Sequence, residues 1–361
     1  MKTILLSHLD LIQIVRRVGL DALMDELIEK LERALVDFDP ADLVIPVRDG
    51  FHYDAPAPGL IEWMPLMKRG EVVLMKIVGY HPDSPDTQQL PTILSTFGLF
   101  DTVTGNLLAV ADGTFMTALR TGAASAVASR LLARPTSTTL GIIGCGAQAV
   151  TQYHAISRCF DLRQVVFHDT DAAAMASLPS RIADLSAQDI ELRAASPTEI
   201  VALSDILCTA TSIEAGSGPV FEDCPSRPWI HVNGVGSDVP GKTELPPALL
   251  KRSLVCPDFP AQARNEGECQ QLSADEIGPE LCEIARSPHE FAPWQQKSTF
   301  FDSTGWALED HVVMQLVLDH AKRLALGTEV QMAGLGSDPR DPYEFLHTSP
   351  RSRSISPLEA S

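Results

Sequence analysis

The residues best placed to do chemistry begin with a turn. From Leu140 to Ala149 the chain reads LGIIGCGAQA, in which Gly144-Cys145-Gly146-Ala147-Gln148-Ala149 is a G-x-G-x-x-A pattern. Small residues at these spacings let a pyrophosphate approach the backbone where a helix begins, and the free N–H groups there favour an anion. Thr138 to Ile143 supplies the buried strand before the turn. Gln164 to His168 reads as a second strand that ends on Asp169, 23 residues beyond Gly146. A carboxylate at that point can bind both ribose hydroxyls and repels a 2′-phosphate, so the expected cofactor is NAD. Cys145 reads as a small filler of the turn.

A second set is charged. Arg48 in IPVRDG, Lys76 in VLMKIVG and Arg120 in TALRTG are three cations that a site could gather. Lys76 interrupts the apolar run Val72 to Val78 and shares a strand face with Leu74 and Val78. It must either reach solvent from an outward face or pair with an anion inside. Arg120 stands among Thr117, Ala118, Thr121, Gly122 and Ala123, a surface that lets something large pack beside it. Arg48 alone reads as a loop-edge residue. Glu62 alternates to the face opposite Ile61 and Trp63, where exposure is the default. Asp238 follows the predicted strand Trp229 to Asn233, just past its carboxyl end. Ligands of open α/β sheets bind there, and a helix-capping aspartate fits the position equally well.

Periodicity supplies the elements that must hold these residues. Ser7, three residues before Asp10, caps a first helix that ends near Gly19, and Leu23, Leu27, Leu31, Leu35 and Phe38 mark the buried stripe of a second. Helices therefore open the chain. Short apolar runs follow at Leu43 to Arg48, Gly59 to Met64, Val72 to Val78, Thr92 to Phe100 and Leu107 to Ala111, with a hairpin turn at Asp101 to Asn106. They predict an antiparallel sheet. Asp112-Gly113 starts a helix that runs to about Ala133 and bridges two domains, with Pro135 stopping its continuation. Strands and helices then alternate from Thr138 to about Ser303, with later strands at Ile190 to Arg193, Asp205 to Ala210, Leu254 to Cys256 and Thr299 to Asp302. That is the α/β pattern of a Rossmann-type, doubly wound parallel sheet. Ala307 to Leu326 reads as a long helix returning to a discontinuous first domain. Beyond Gly327 the Pro/Ser/Gly-rich chain reads as a loosely held tail.

With 361 residues, 45% of them hydrophobic, the chain can hold about two domains and bury a full core. A net charge of −19 argues against nucleic acid or anionic membrane as a partner and suits a cationic small molecule. Seven cysteines form no C-x-x-C pair and no Cys/His cluster at metal-ligand spacing, which predicts free thiols, a reducing compartment and no metal. The short apolar run Ile4 to Leu6, broken by Ser7, His8 and Asp10, is neither a signal peptide nor a membrane span.

DGTFMTALRTGAASAVASRLLARP, LGIIGCGAQAVTQ, NGVGSDVPGKTEL, ARNEGECQQLSAD and FDSTG, in this order, resemble the ornithine cyclodeaminase and mu-crystallin family, and most closely its lysine and ornithine cyclodeaminases. The similarity runs from IEWMP at 61–65 through DPY at 341–343. It implies a redox-neutral ring closure on tightly held NAD. Hydride leaves Cα of a diamino acid, the distal amine attacks the resulting imine carbon, ammonia leaves, and the hydride returns.

By resemblance, Arg48, Lys76 and Arg120 clamp the substrate carboxylate, Glu62 and Met64 line the substrate site, and Asp238 is the catalytic aspartate, itself in contact with substrate. The implied NAD contacts are Thr92, Arg120, Thr121, Gly144, Gly146, Ala147, Gln148, Asp169, Thr209, Val235 and Ser303. The implied organisation is a substrate-binding and dimerisation α+β domain at 1–120 and 305–340, an NAD-binding Rossmann domain at 121–304, and a C-terminal tail at 341–361. A cytoplasmic homodimer is expected. EGECQQLSAD, TGAASAVASRLLARP and DPY favour L-lysine to L-pipecolate. Gly79-Tyr80 resembles the lysine enzymes whereas His81-Pro82 resembles the ornithine enzymes, so L-ornithine to L-proline stays as the alternative. A net amino-acid dehydrogenase or ketimine reductase would use the same clamp, whereas a non-catalytic binding module would not need Lys76, Arg120 and Asp238.

Overall fold

The change of texture near Asp112 separates two sheets. The computed structural model describes residues 2–185, 190–334 and 338–346. A strand, not a helix, comes first: β1 (Thr3–Leu6) precedes α1 (His8–Val18) and α2 (Leu20–Asp37). Ser7 and Asp10 close a capping box on α1, and the leucine stripe of α2 is buried. Next come β2 (Leu43–Val44), β3 (Asp49–Tyr53), β4 (Gly59–Lys68), β5 (Val72–Tyr80), the short α3 (Ser84–Gln88), β6 (Ile93–Asp101) and β7 (Leu107–Asp112). The expected strand Leu43 to Arg48 stops at Val44, because Pro46 has no N–H to give a neighbouring strand. Strands β4, β5 and β6 are antiparallel, with Met64 opposite Lys76 and Lys76 opposite Phe97.

Helix α4 (Thr114–Leu132) leads out of this sheet and is buried along most of its length. The small residues around Arg120 admit another helix, α5 (Ala147–Cys159): a Cβ on Gly122 would come within 2.4 Å of the Thr151 carbonyl. Around α5 the second sheet is built from β8 (Thr139–Ile143), β9 (Gln164–His168), α6 (Ala172–Ile182), β10 (Glu191–Ala194), α7 (Pro197–Leu203), β11 (Ile206–Thr209) and β12 (His231–Gly234). It is completed by α8 (Pro247–Lys251), β13 (Leu254–Pro257), α9 (Pro260–Glu266), α10 (Leu281–Arg286), α11 (Pro288–Phe291) and β14 (Thr299–Asp302). All seven strands are parallel, in the order β10-β9-β8-β11-β12-β14-β13. Strand and helix do not alternate throughout. Residues 210–230, which hold Pro219, Pro225 and Pro228, cross from β11 to β12 without a helix.

Helix α12 (Ala307–Leu324) returns to the first sheet and packs on α1, α2, α4, β4 and β5. Beyond Gly327 the chain is not all tail, because β15 (Thr328–Val330) pairs antiparallel with β1. β1 in turn runs parallel to β7, so the two ends of the chain share one sheet edge. Of the expected tail 341–361, residues 347–361 lie outside the described residues.

Candidate active site

On β4 and β5 the residues Leu60, Glu62, Met64, Leu66, Leu74, Lys76 and Val78 all point to the covered face. Lys76 therefore takes the inward alternative. It is 1% exposed, and its Nζ lies 3.0 and 2.8 Å from the two oxygens of Asp310 on α12. Burial lowers its pKa to about 8, against the opposing pull of Asp310. Arg120, also buried, places Nε 3.1 Å from Asp310 Oδ1 and Nη1 2.6 Å from Glu309 Oε2. Burial raises the Glu309 pKa to about 8, with Arg120 opposing.

Glu62, read as exposed, is buried, and Arg48, which does lie in the loop before β3, has its side chain buried as well. Glu62 does lie on the face opposite Ile61, but the face it shares with Leu60 and Met64 is the covered one, and it is Ile61 that is 42% exposed. Arg48 Nε lies 2.7 Å from Glu266 Oε1 on α9 and 3.5 Å from Glu62 Oε2. Its guanidinium also donates to the carbonyls of Thr304, at 3.2 Å, and of Asp238. Burial raises the pKa of Glu62 and lifts that of Glu266 to about 7, with Arg48 opposing in both.

Asp238 follows the carboxyl end of β12 and keeps 30% of its side chain exposed. Its Oδ1 accepts from the buried Lys242 Nζ at 2.9 Å, and that ammonium lies 5.4 Å from the centre of the Tyr80 ring. Gly305 stands beside Arg120. Its φ is +87°, and a side chain there would come within 2.9 Å of the guanidinium. The structure thus brings Arg48, Glu62, Met64, Lys76, Arg120 and Asp238 to one region.

The second set gathers at the carboxyl end of the parallel sheet. Its order reverses between β8 and β11, and the Gly144 turn sits at that switch point, where open α/β sheets bind ligands. Gly144 has φ +98°, and a Cβ on it would meet the Ala210 carbonyl at 2.5 Å. Among the described residues nothing lies within 4 Å of where a Cβ on Gly146 would be, and none caps the start of α5 with its side chain. Asp169 Oδ2 accepts from Cys145 N at 2.5 Å and Oδ1 from Asp171 N at 2.8 Å. Cys145 is buried, with its thiol pushed up to about 12 by burial and by Asp169.

Thr209 ends β11, Val235 follows β12 and Ser303 follows β14. Thr209 Oγ1 and Ser303 Oγ are buried and find no hydrogen-bond partner among the described residues. Such hydroxyls cost about 1–3 kcal/mol unless something bonds them. The open glycine turn and these two hydroxyls fit a dinucleotide. Ala147 and Gln148 open α5, and Gln148 Oε1 accepts from Thr151 Oγ1 at 3.0 Å. Thr121 follows Arg120 on α4 and bonds back to the Thr117 carbonyl. Thr92 precedes β6, where its carbonyl accepts from His81 N, and it hydrogen-bonds to neither set among the described residues.

Sequence reasoning missed the counter-ions Glu266, Glu309 and Asp310, and with them Lys242 and Arg181. Glu309 and Asp310 open a long helix, where acids suit the dipole without needing a partner. Arg181 of α6 donates to the carbonyls of Gly146 and Cys145, 35 and 36 residues earlier, and no local pattern announces that.

Comparison with known proteins places the chain in a family. The pattern of the ornithine cyclodeaminase/mu-crystallin family matches residues 9–324. The L-lysine cyclodeaminase of Streptomyces rapamycinicus is 41% identical over 346 residues, which is 96% of this chain and 100% of that protein. A solved lysine cyclodeaminase, studied for its recognition of L-lysine, L-ornithine and L-2,4-diaminobutyric acid, superposes with a TM-score of 0.92 at 45% identity, covering 95% of this chain and 99% of its own. An archaeal alanine dehydrogenase, solved as a dimer with bound NAD, superposes with a TM-score of 0.79 at 28% identity, covering 92% and 100%.

Proposed function

This chain belongs to the ornithine cyclodeaminase/mu-crystallin family, and from that premise we propose that it is an NAD-dependent cyclodeaminase converting L-lysine to L-pipecolate and ammonia. What carries this is the burial of three cations against four carboxylates on the face where Asp238 is still accessible. A diamino acid brings one carboxylate and two ammonium groups, the charges such a surface matches.

Arg48, Lys76 and Arg120 hold the α-carboxylate and so fix the direction of the Cα hydrogen. Met64, opposite Lys76, lines the same space. NAD, when bound, supplies a hydride acceptor that later gives the hydride back; Gly144, Gly146, Ala147, Gln148, Asp169, Thr209, Val235 and Ser303, with Thr92, Arg120 and Thr121, would hold it. Asp238 takes a proton from the α-amine, because an ammonium cannot release hydride from its carbon. Lys242 keeps that carboxylate oriented. Glu62 and Glu266, both raised in pKa, receive the distal ammonium and can accept its proton, which frees the lone pair that attacks.

We assign 1–120 and 305–340 to substrate binding and dimerisation, 121–304 to NAD binding and 341–361 to a tail. The uncovered face of the first sheet exposes Ile61, Ile77, Leu94 and Phe100 where an antiparallel sheet facing water would be polar, which supports pairing of two copies through it. Light scattering should give a dimer that Ile77→Glu splits. All seven cysteines are free, which supports a cytoplasmic location. No helix among the described residues is long and apolar enough to cross a membrane.

The test is product analysis with L-lysine or L-ornithine, catalytic NAD and no added reductant. Pipecolate and ammonia without net NADH are expected. A faster conversion of L-ornithine to proline would make that the substrate. NADH consumed with a keto acid or a cyclic imine, and no ring closure from a diamino acid, would move the protein to the dehydrogenase and ketimine reductase branch.

A further inference from the structure

Around Arg120 the charges do not balance once a substrate arrives. Facing Glu309 are Arg120 from α4, Asp258 from the link between β13 and α9, and Asp310 on its own helix, with Lys76 of β5 behind Asp310. All five are buried. Two cations and three ionised acids leave one negative charge, and a substrate carboxylate on Arg120 and Lys76 would make it two, away from water.

The three acids are unequally held. Asp310 meets both cations. Asp258 accepts from Thr304 Oγ1 at 2.8 Å, Gly305 N at 2.7 Å and Phe259 N at 2.6 Å. Among the described residues Glu309 is bonded by Arg120 Nη1 alone. The acid with the fewest donors is the one that loses least by carrying a proton.

We propose that Glu309 is a positioning residue that stays a neutral acid while substrate binds, so that Arg120 keeps its charge for the substrate carboxylate, and that ionisation of Glu309 weakens substrate binding at alkaline pH. The proposal rests on reading Arg120 as a ligand of that carboxylate. The raised pKa of Glu309, about 8, agrees with the geometry. Below that pH the glutamic acid is uncharged and Arg120 is available; above it the carboxylate neutralises Arg120 and competes with substrate.

The experiment is KM and kcat for L-lysine on NAD-saturated enzyme across about pH 7 to about pH 9.5, for the unaltered chain and Glu309→Gln. A single ionisation that blocks binding raises KM about tenfold per unit beyond its pKa. The unaltered enzyme should show that rise and Glu309→Gln a clearly smaller one, left by Lys76 alone, with kcat changed little. An equal rise in Glu309→Gln would make Lys76 the titrating group and overturn the proposal. A KM raised equally at every pH would reduce Glu309 to a structural role and overturn it too. Should Glu309→Gln not fold, Glu309→Ala also removes the titration. The unaltered enzyme offers an independent reading: infrared difference spectra at neutral pH should show a protonated carboxylic acid whose carbonyl stretch shifts when L-lysine binds. Absence of any lysine-sensitive band of that kind overturns the proposal. Failure of the underlying reading looks different, because 1,5-diaminopentane would then bind the unaltered enzyme as well as L-lysine does.

Discussion

At the carboxyl end of the second sheet the ligand-facing groups are, apart from Asp169, backbone N–H groups and small hydroxyls, whereas on the covered face of the first sheet they are mostly full charges already in contact with counter-charges. A dinucleotide can add to the two unbonded hydroxyls there without displacing a partner. A zwitterionic substrate enters the latter only by exchanging partners with Glu62, Glu266 and Asp310, so its affinity is a difference between ion pairs. Neutral sites gain by filling hydrogen bonds; matched ionic sites gain only where the newcomer is the better partner.

Single substitutions put that contrast to the test. Lys76→Met should do most damage, since Asp310 keeps only Arg120 and breaking a buried ion pair costs about 3–5 kcal/mol. Melting should fall and pipecolate formation cease; an unchanged melting temperature would mean that the pair is not needed to hold the fold. Asp238→Asn should cut kcat by about 10²- to 10⁴-fold, the range for a lost general acid–base. Its melting temperature and NAD titration should not move, which would separate charge used for chemistry from charge used for matching. Asp169→Ala should weaken NAD about 10- to 100-fold, because hydrogen bonds to charged groups contribute about 1.5–3 kcal/mol. Discrimination against NADP should fall with it, read by nicotinamide fluorescence. Ser303→Ala should cost about 1 kcal/mol of NAD affinity, roughly fivefold. The NAD-free protein should melt no lower; a fall would show that the hydroxyl is already satisfied within the chain.

The turn at Gly144, the strand ending before Asp169 and the leucine stripe of α2 were legible because each is a local pattern whose partners lie within a few turns of chain. The buried state of Glu62 was not, since alternation divides a strand into two faces without saying which one another element covers, and that of Arg48 was not, since its partner Glu266 lies on a distant helix. Nor were the counter-ions: Glu309 meets Arg120 across 189 residues and Asp310 meets Lys76 across 234. β1 and β15 escaped for the same reason. Strands of four and three residues carry little pattern of their own, and both are defined by partners far along the chain. The crossing from β11 to β12 shows the reverse case, in which prolines visible in the sequence override an expected alternation.

The pairing of β1 with β15 means that the second sheet is inserted into the first. During synthesis α1 and α2 leave the ribosome early, but α12, which covers them, is made last. At about 5–20 residues per second that interval is roughly 15 to 60 seconds. For that time the apolar stripe of α2 lacks one of its partners while the inserted sheet can already fold. The nucleotide half can thus close first, while the newborn charged half keeps part of its apolar stripe uncovered until its final helix arrives.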